Sequence, residues 1–257
     1  MTKREINMRD LIRVFWRSLL IQASWSFERM QSLGFSYAIE PVLKKLYPDP
    51  GEYESRMRLH LEYFNTQPYL ASFILGATVR LEQDRAQGKN PVADIRNIKT
   101  SLMAPLGALG DSYFWGALRP FAAITATALL FTGWWWAPLF FLILFNFWHI
   151  RLRASVLFWG YVNSGDPVDL MDRYRFTKMA KLFKVLSLSL VGGIAAILPA
   201  WSTTFRPLVP LPGLFLAFAG MLLMLLFIVL LRKGGSPVKL MLGLVIVCLG
   251  LAFLGVV

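Results

Sequence analysis

The sequence predicts an all-α integral membrane protein, with amphipathic amino-terminal helices, a re-entrant hairpin and about four to five transmembrane helices. Three observations carry this. The 257 residues are 56% hydrophobic and 16% charged, and the mean hydropathy is +0.52, beyond the range of ordinary soluble domains. The apolar residues gather in uncharged runs at 134–150, 185–201, 213–231 and 240–257. At about 1.5 Å per residue such runs come close to the ~30 Å hydrocarbon core of a bilayer. A further apolar stretch is broken by Pro105, Gly107 and Gly110 and ends in Asp111.

The elements follow in order. Residues 8–21 repeat apolar groups at helical spacing (Met8, Leu11, Ile12, Phe15, Leu19), while Arg9, Arg13 and Arg17 form a separate row at steps of four. This is an amphipathic helix with a basic edge, suited to an anionic cytoplasmic surface or, alternatively, to packing in a soluble domain. A second helix is expected over 22–33, ending near Gly34. Pro48, Pro50 and Gly51 mark a turn, and Glu52 to Phe64 reads as a helix stopped by Asn65-Thr66-Gln67-Pro68. Residues 69–86 form the next helix, closing at Gly88, and Asn90-Pro91 opens a loop.

Broken apolar backbone survives at membrane depth only when buried in protein or lining a wet cavity. The stretch 101–120 therefore reads as a re-entrant hairpin. Residues 120–133 then pair with 134–150, turning near Gly133 and Trp134-Trp135-Trp136. The chain divides into an amino-terminal region, 1–120, and a transmembrane region, 121–257.

The formal charge is +12, from 27 Lys and Arg against 15 Asp and Glu. Its distribution argues against nucleic acid as the partner. Ten basic residues lie within the first 60 positions, and seven more, from Arg151 to Lys184, flank apolar runs, as cytoplasmic loops of membrane proteins do. Arg232, Lys233 and Lys239 separate the last two runs, whereas 202–212 has only Arg206. These assignments agree on a cytoplasmic amino terminus and an external carboxy terminus in a multi-pass protein. Cys248 is alone, so no disulfide within the chain is possible. The arginines at 9, 13 and 17 interrupt any apolar core of a secretory signal.

No phosphate-binding glycine loop, paired metal-ligand spacing or nucleophile elbow is present. His60 and His149 are the two histidines. Either could in principle carry a phosphoryl group. The plainer readings are an exposed helix residue near Arg56 and Glu62, and a polar group at a span end near Asn146. Gln22, Ser24, Trp25, Phe27, Glu28 and Gln31 place amides, a hydroxyl, a carboxylate and aromatic rings within ten residues, and Asn65 and Gln67 add two amides. Amides and carboxylates bind vicinal hydroxyls and an indole packs on a sugar's C–H face, so the set suits a neutral polyhydroxyl ligand. Helix capping by Asn65 and ion pairing of Glu28 with Arg29 or Arg56 are the structural alternatives.

Three ordered blocks add a resemblance. Phe15-Trp16-Arg17-Ser18 with Gln22 to Phe35, then His60 to Pro68, then Ile98 to Pro120 containing Ala104-Pro105-Leu106 and Gly110-Asp111-Ser112, resemble the signatures of the enzyme IID subunit of mannose/fructose/sorbose-family sugar phosphotransferase (PTS) permeases. The resemblance implies a bacterial inner-membrane subunit that forms the sugar-translocating unit with IIC. Separate IIB and IIA proteins carry the phosphoryl group, the substrate is a hexose, and pairs of IIC and IID assemble into a higher oligomer. It implies that Gln22, Trp25, Glu28, Gln31, Asn65 and Gln67 contribute to the sugar site where IID meets IIC. Asp111 is assigned gating or docking. No phosphoryl-carrying residue, cofactor or metal is expected on this chain.

The third block departs from the usual Gly-Pro-Leu-Ala-Gly order, reading Ala104-Pro105-Leu106-Gly107-Ala108, and 202–212 is shorter than the external loop of many members. Two rivals of other classes stand beside the permease subunit. One is a regulatory or receptor-like membrane subunit that keeps the fold and transports nothing. The other is a peripheral interaction protein whose apolar runs pack against other proteins.

Overall fold

The computed structural model describes residues 5–89, 95–163, 170, 173–201 and 213–253. The chain forms two compact units, Met1–Ser187 and Leu188–Val257.

In the first unit, α1 (Met8–Ser18) opens on a capping box. Asn7 Oδ1 accepts from the Asp10 amide at 3.0 Å, and Asp10 Oδ2 accepts from the Asn7 amide at 2.9 Å. The helix stops at Ser18, short of the expected 21. The expected helix over 22–33 does not form: residues 19–31 make a loop, and α2 runs from Ser32 to Leu46. The loop closes on itself through Ser26 and Met30, whose amides and carbonyls bond reciprocally at 3.2 and 2.8 Å. Ser26 Oγ also accepts from the Arg29 amide at 3.2 Å, the local bonding by which serine competes with a helix. Met30 takes φ +52° to complete the reversal. Gly34 does not end a helix. It lies inside α2 and lets Ile21 approach, since a Cβ there would stand 2.1 Å from the Ile21 carbonyl oxygen.

Asp49 caps α3 (Pro50–His60), its Oδ2 accepting from the Glu52 amide at 2.9 Å, with Pro50 in the first turn. The helix ends at His60, four residues before the expected Phe64. Residues 61–70 connect it to α4 (Ala71–Ala86), which closes at Gly88 with φ +74°. The Asn90-Pro91 loop lies outside the described residues.

Helix α4 packs mainly on α7 (Ala137–Asn163) through a pair of glycines. A Cβ at Gly76 would meet the Leu157 carbonyl oxygen at 2.0 Å, and one at Gly160 would meet that of Phe73 at 2.3 Å. Backbones this close exclude any side chain at either position. Arg153 of α7 is buried beside this crossing. It donates to Ser72 Oγ at 3.1 Å and to the Ser18 carbonyl at the end of α1, so the charge satisfies an orphan helix-end acceptor.

The expected re-entrant hairpin in 101–120 does not form. Helix α5 (Ile95–Gly110), a π-helical segment (Asp111–Leu118) and α6 (Arg119–Phe131) make one continuous helix of 37 residues, about 55 Å long. Pro105 removes a single ladder bond without turning the chain, and the wider π-helical segment keeps the backbone bonded inside the rod. Gly110 serves close packing instead of a turn, and Gly107 lies within the helix. The paired helices expected around Gly133 do form: φ +84° at Gly133 turns the chain between α6 and α7, with Trp134, Trp135 and Trp136 exposed at the bend. Both Ile95–Phe131 and Ala137–Asn163 are long and apolar enough to cross a membrane.

Helix α8 (Phe176–Trp201) begins in the first unit. In the second, α9 (Gly213–Arg232) and α10 (Pro237–Phe253) are joined by a turn at Gly234, φ +86°. These three helices coincide with the expected runs 185–201, 213–231 and 240–257 up to residue 253. The loop 202–212, and with it the expectation of its short external course, lies outside the described residues.

Candidate sugar-binding groove

The connector 61–70 lacks regular structure and is buried at Phe64, Thr66, Gln67, Pro68 and Leu70, where side-chain amides meet its hydrogen-bonding needs. Gln31, at the start of α2, donates from Nε2 to the Thr66 carbonyl at 2.8 Å and accepts at Oε1 from the Thr66 amide at 3.2 Å. The Gln31 amide donates to the Phe64 carbonyl at 2.8 Å. Gln67 Oε1 accepts from the amides of Tyr69 and Leu70 at 2.8 and 3.0 Å, which opens α4. Thr66 Oγ1 donates to the Met103 carbonyl of α5 at 2.9 Å. Phe64 is buried against Phe35, with ring centroids 4.4 Å apart.

Helix α5 comes unusually close to this connector. A Cβ at Gly110 would stand 2.6 Å from Cβ and Cγ of Gln67, so the bare glycine seats the glutamine. Between the two elements lies a groove of about 570 Å³, lined by Gln22, Gln31, Asn65, Gln67 and Asp111 together with Tyr63, Thr100 and Trp115. Five of the seven residues singled out from sequence therefore converge. Their states differ. Gln31 is buried and its amide is fully engaged with Thr66. Gln67 is buried too, and its Nε2, itself shut off from solvent, finds no partner among the described residues. Asn65 and Asp111 are exposed.

Trp25 and Glu28 are not brought into the groove. Both are exposed on the 19–31 loop, beside Phe27, which is 85% exposed. The ion pair of Glu28 with Arg56 does not form, because the Arg56 guanidinium is committed to Glu82. Tyr63, Thr100 and Trp115 are additions to the residues that sequence points to, although all three lie inside the resembling blocks. Trp115 also takes the Arg119 guanidinium over its ring at 5.2 Å.

His60, expected on an exposed helix face, is fully buried. Its Nε2 lies 2.8 Å from Glu82 Oε1. Arg56 donates to both oxygens of the same carboxylate at 2.6 and 3.1 Å, and Tyr47 Oη donates to Oε2 at 2.7 Å. Burial pushes the Glu82 carboxyl up, but the bonds from His60 and Arg56 outweigh it and hold the group at about 2. Burial lowers the pKa of His60. A ring so enclosed and bonded has no route to a phosphoryl donor. Lys99 of α5 donates to the Leu59 carbonyl at 3.4 Å and lies 4.7 Å from the Phe35 ring centroid, which ties the end of α3 to the groove-lining helix. His149 is buried in α7, with Nε2 2.9 Å from Asn146 Oδ1 and its ring stacked on Tyr69.

Comparison with known proteins places these features in a lineage. Residues 5–257 match the PTS system mannose/fructose/sorbose family IID component. The PTS system mannose-specific EIID component of Escherichia coli K12 is 38% identical over 211 residues, covering 81% of this chain and 73% of that protein. The sorbose-specific EIID component of Klebsiella pneumoniae is 33% identical over 211 residues, covering 81% and 76%. A chain of the mannose transporter ManYZ, solved by cryo-electron microscopy in complex with microcin E492, superimposes with a TM-score of 0.59 at 32% identity, covering 98% of both chains. The chain is therefore a membrane protein of the sugar phosphotransferase system and belongs to the mannose/fructose/sorbose family of IID components.

Proposed function

We propose that this IID chain pairs with a IIC chain to form a translocating unit, and that the groove between residues 63–68 and α5 supplies its share of the sugar site. The observation that carries the reading is the convergence on one groove of exposed Gln22, Asn65 and Asp111 with the buried side chains of Gln31 and Gln67. A volume of about 570 Å³ falls within the ~300–1,000 Å³ of small-molecule sites. A neutral hexose offers hydroxyls of both donor and acceptor character to these amides and the carboxylate. The relatives named for mannose and sorbose support that substrate class.

In this mechanism the sugar binds between the two subunits, open first to the outside and then to the cytoplasm. There, IIB, recharged by IIA, transfers the phosphoryl group. This chain binds and positions, and Asp111 gates or docks at the groove edge. Residues 1–120 carry the chemistry and 121–257 anchor it in the bacterial inner membrane, with the amino terminus inside, the carboxy terminus outside and several IIC–IID pairs per assembly. Trp25 and Glu28 then belong to the contact with IIC, from which Glu28 can still reach a sugar held across the interface.

The test is Asn65→Ala in the reconstituted complex, because Asn65 is exposed and its loss leaves the connector's backbone bonds in place. Sugar uptake should fall about fivefold or more while IIC and IID still copurify, matching the ~1–3 kcal/mol lost when a polar site loses a partner. Unchanged uptake in an intact complex would remove the groove from the sugar path.

A further inference from the structure

Helix α1 carries two apolar faces where the spacing of its residues suggested one. Leu11, Val14, Phe15 and Ser18 are buried in the first unit. Met8, Ile12 and Trp16, at steps of four, remain exposed, Trp16 at 62%, and exposed Leu20 extends the row into the following turn. With about 100° per residue, the order around the helix is the buried face, then the free apolar row, then Arg9 and Arg13. Both arginines are exposed. The ion pairs of α1 are made by other residues: Arg17 with Glu40 and Asp10 with Lys45, each at 2.5 Å. Arg17 is further committed to α2 through the Tyr37 carbonyl and ring. The third member of the basic row thus holds the helix to the protein, and the other two form no ion pair among the described residues.

We propose that this free face docks on an anionic phospholipid leaflet. The Met8, Ile12 and Trp16 row enters the acyl boundary, and Arg9 and Arg13 pair with headgroup phosphates. A leaflet presents apolar depth and negative surface side by side, the same sequence that the helix presents around its axis. Trp16 lies next to the basic edge, at the level where indoles settle in a bilayer. A protein covering the same face would have to supply acids for two guanidinium groups as well as an apolar wall. The proposal is independent of the groove and rests on the membrane character of the chain.

The experiment uses the full chain, in the complex in which it is purified, with Cys248→Ser and a spin label at Ile12→Cys. It is placed in nanodiscs of phosphatidylcholine alone or mixed with phosphatidylglycerol. The label should collide with oxygen and be shielded from a water-soluble nickel chelate, and it should sit deeper when phosphatidylglycerol is present. Arg9→Ala with Arg13→Ala should erase that dependence on anionic lipid, each arginine contributing about fivefold to the bound-to-free ratio. An unchanged melting temperature would certify the variants. A label open to the nickel chelate in both lipids would show the face in water. A label closed to both reagents would show it covered by protein. Either result overturns the proposal.

Discussion

Residues 19–31 and 61–70 are both irregular connectors rich in amides and aromatic rings, yet the fold puts them to opposite uses. In 61–70, Phe64, Thr66, Gln67 and Leu70 are buried, and the backbone is satisfied by Gln31, by Gln67 itself and by Met103 Sδ of α5, which accepts from the Asn65 amide. In 19–31, every residue from Gln22 to Arg29 is exposed, and the loop is closed mainly by its own Ser26–Met30 pair. The difference teaches that composition does not make a wall. A connector becomes one when side-chain amides take over the hydrogen bonds that water would otherwise provide.

The Glu82 cluster offers the strongest way to break this contrast, because it fixes the end of α3 from which 61–70 departs. Glu82→Gln should destabilise the first unit by about 3–5 kcal/mol, the cost of disturbing a buried ion pair from one side. Acid should do the same to the unaltered protein, with a sign that follows from the pKa values. His60 is lowered in the fold, so its contribution begins to be lost as pH falls below the unfolded value near 6.5. Glu82 is held at about 2 against an ordinary 4.5, so its contribution is complete above 4.5 and is lost as pH falls toward 2, about 3 kcal/mol in all. Melting temperature against pH in detergent should therefore decline in two stages. The second stage should shrink in Glu82→Gln, leaving the share of Glu40 and Asp84, whose carboxyls are also held low, and a flat profile in the unaltered protein would remove the cluster's structural role.

Gly110→Val tests the seat of Gln67 directly. Its Cβ would stand 2.6 Å from Cβ and Cγ of Gln67, and overpacking of this kind typically costs 1–3 kcal/mol. The expected result is a modest fall in melting temperature with a larger loss of sugar uptake, since the displaced glutamine is the groove wall. Gly107→Ala is the control. A Cβ there meets Thr66 Oγ1 only at 3.7 Å, ordinary contact, and both stability and uptake should survive.

Much of this was legible from residue order. The uncharged runs marked α8, α9 and α10, and Gly133 with its tryptophans marked the turn between α6 and α7. What failed depended on contacts between distant positions. Ser24, Glu28 and Gln31 have helical spacing, but the reversal that places Ile21 on Gly34 leaves no room for a helix there. Pro105, Gly107 and Gly110 look like breaks, yet the helix runs through all three, and Gly110 is needed bare for Gln67, which is distant in sequence. His60 looks exposed because its partner, Glu82, comes from another helix. The groove was largely found because its amides cluster in two short segments. Trp25 and Glu28 were drawn in with them by proximity along the chain alone.

Those two residues supply the smallest effect and the sharpest contrast. Trp25→Ala and Glu28→Ala remove exposed side chains from a loop that the described residues leave uncovered, so the stability of the isolated chain should change by no more than about 0.5 kcal/mol. If the loop is a contact with IIC, the same substitutions act only in the complex, where aromatic anchors characteristically carry binding energy. Copurification of IIC should weaken severalfold for Trp25→Ala, and more when Phe27→Ala is added, while Asn65→Ala leaves it intact. A loop that tolerates all three substitutions with assembly and uptake unchanged would be no interface. The opposition between a locked wall and a docking prong would then reduce to a wall and an idle turn.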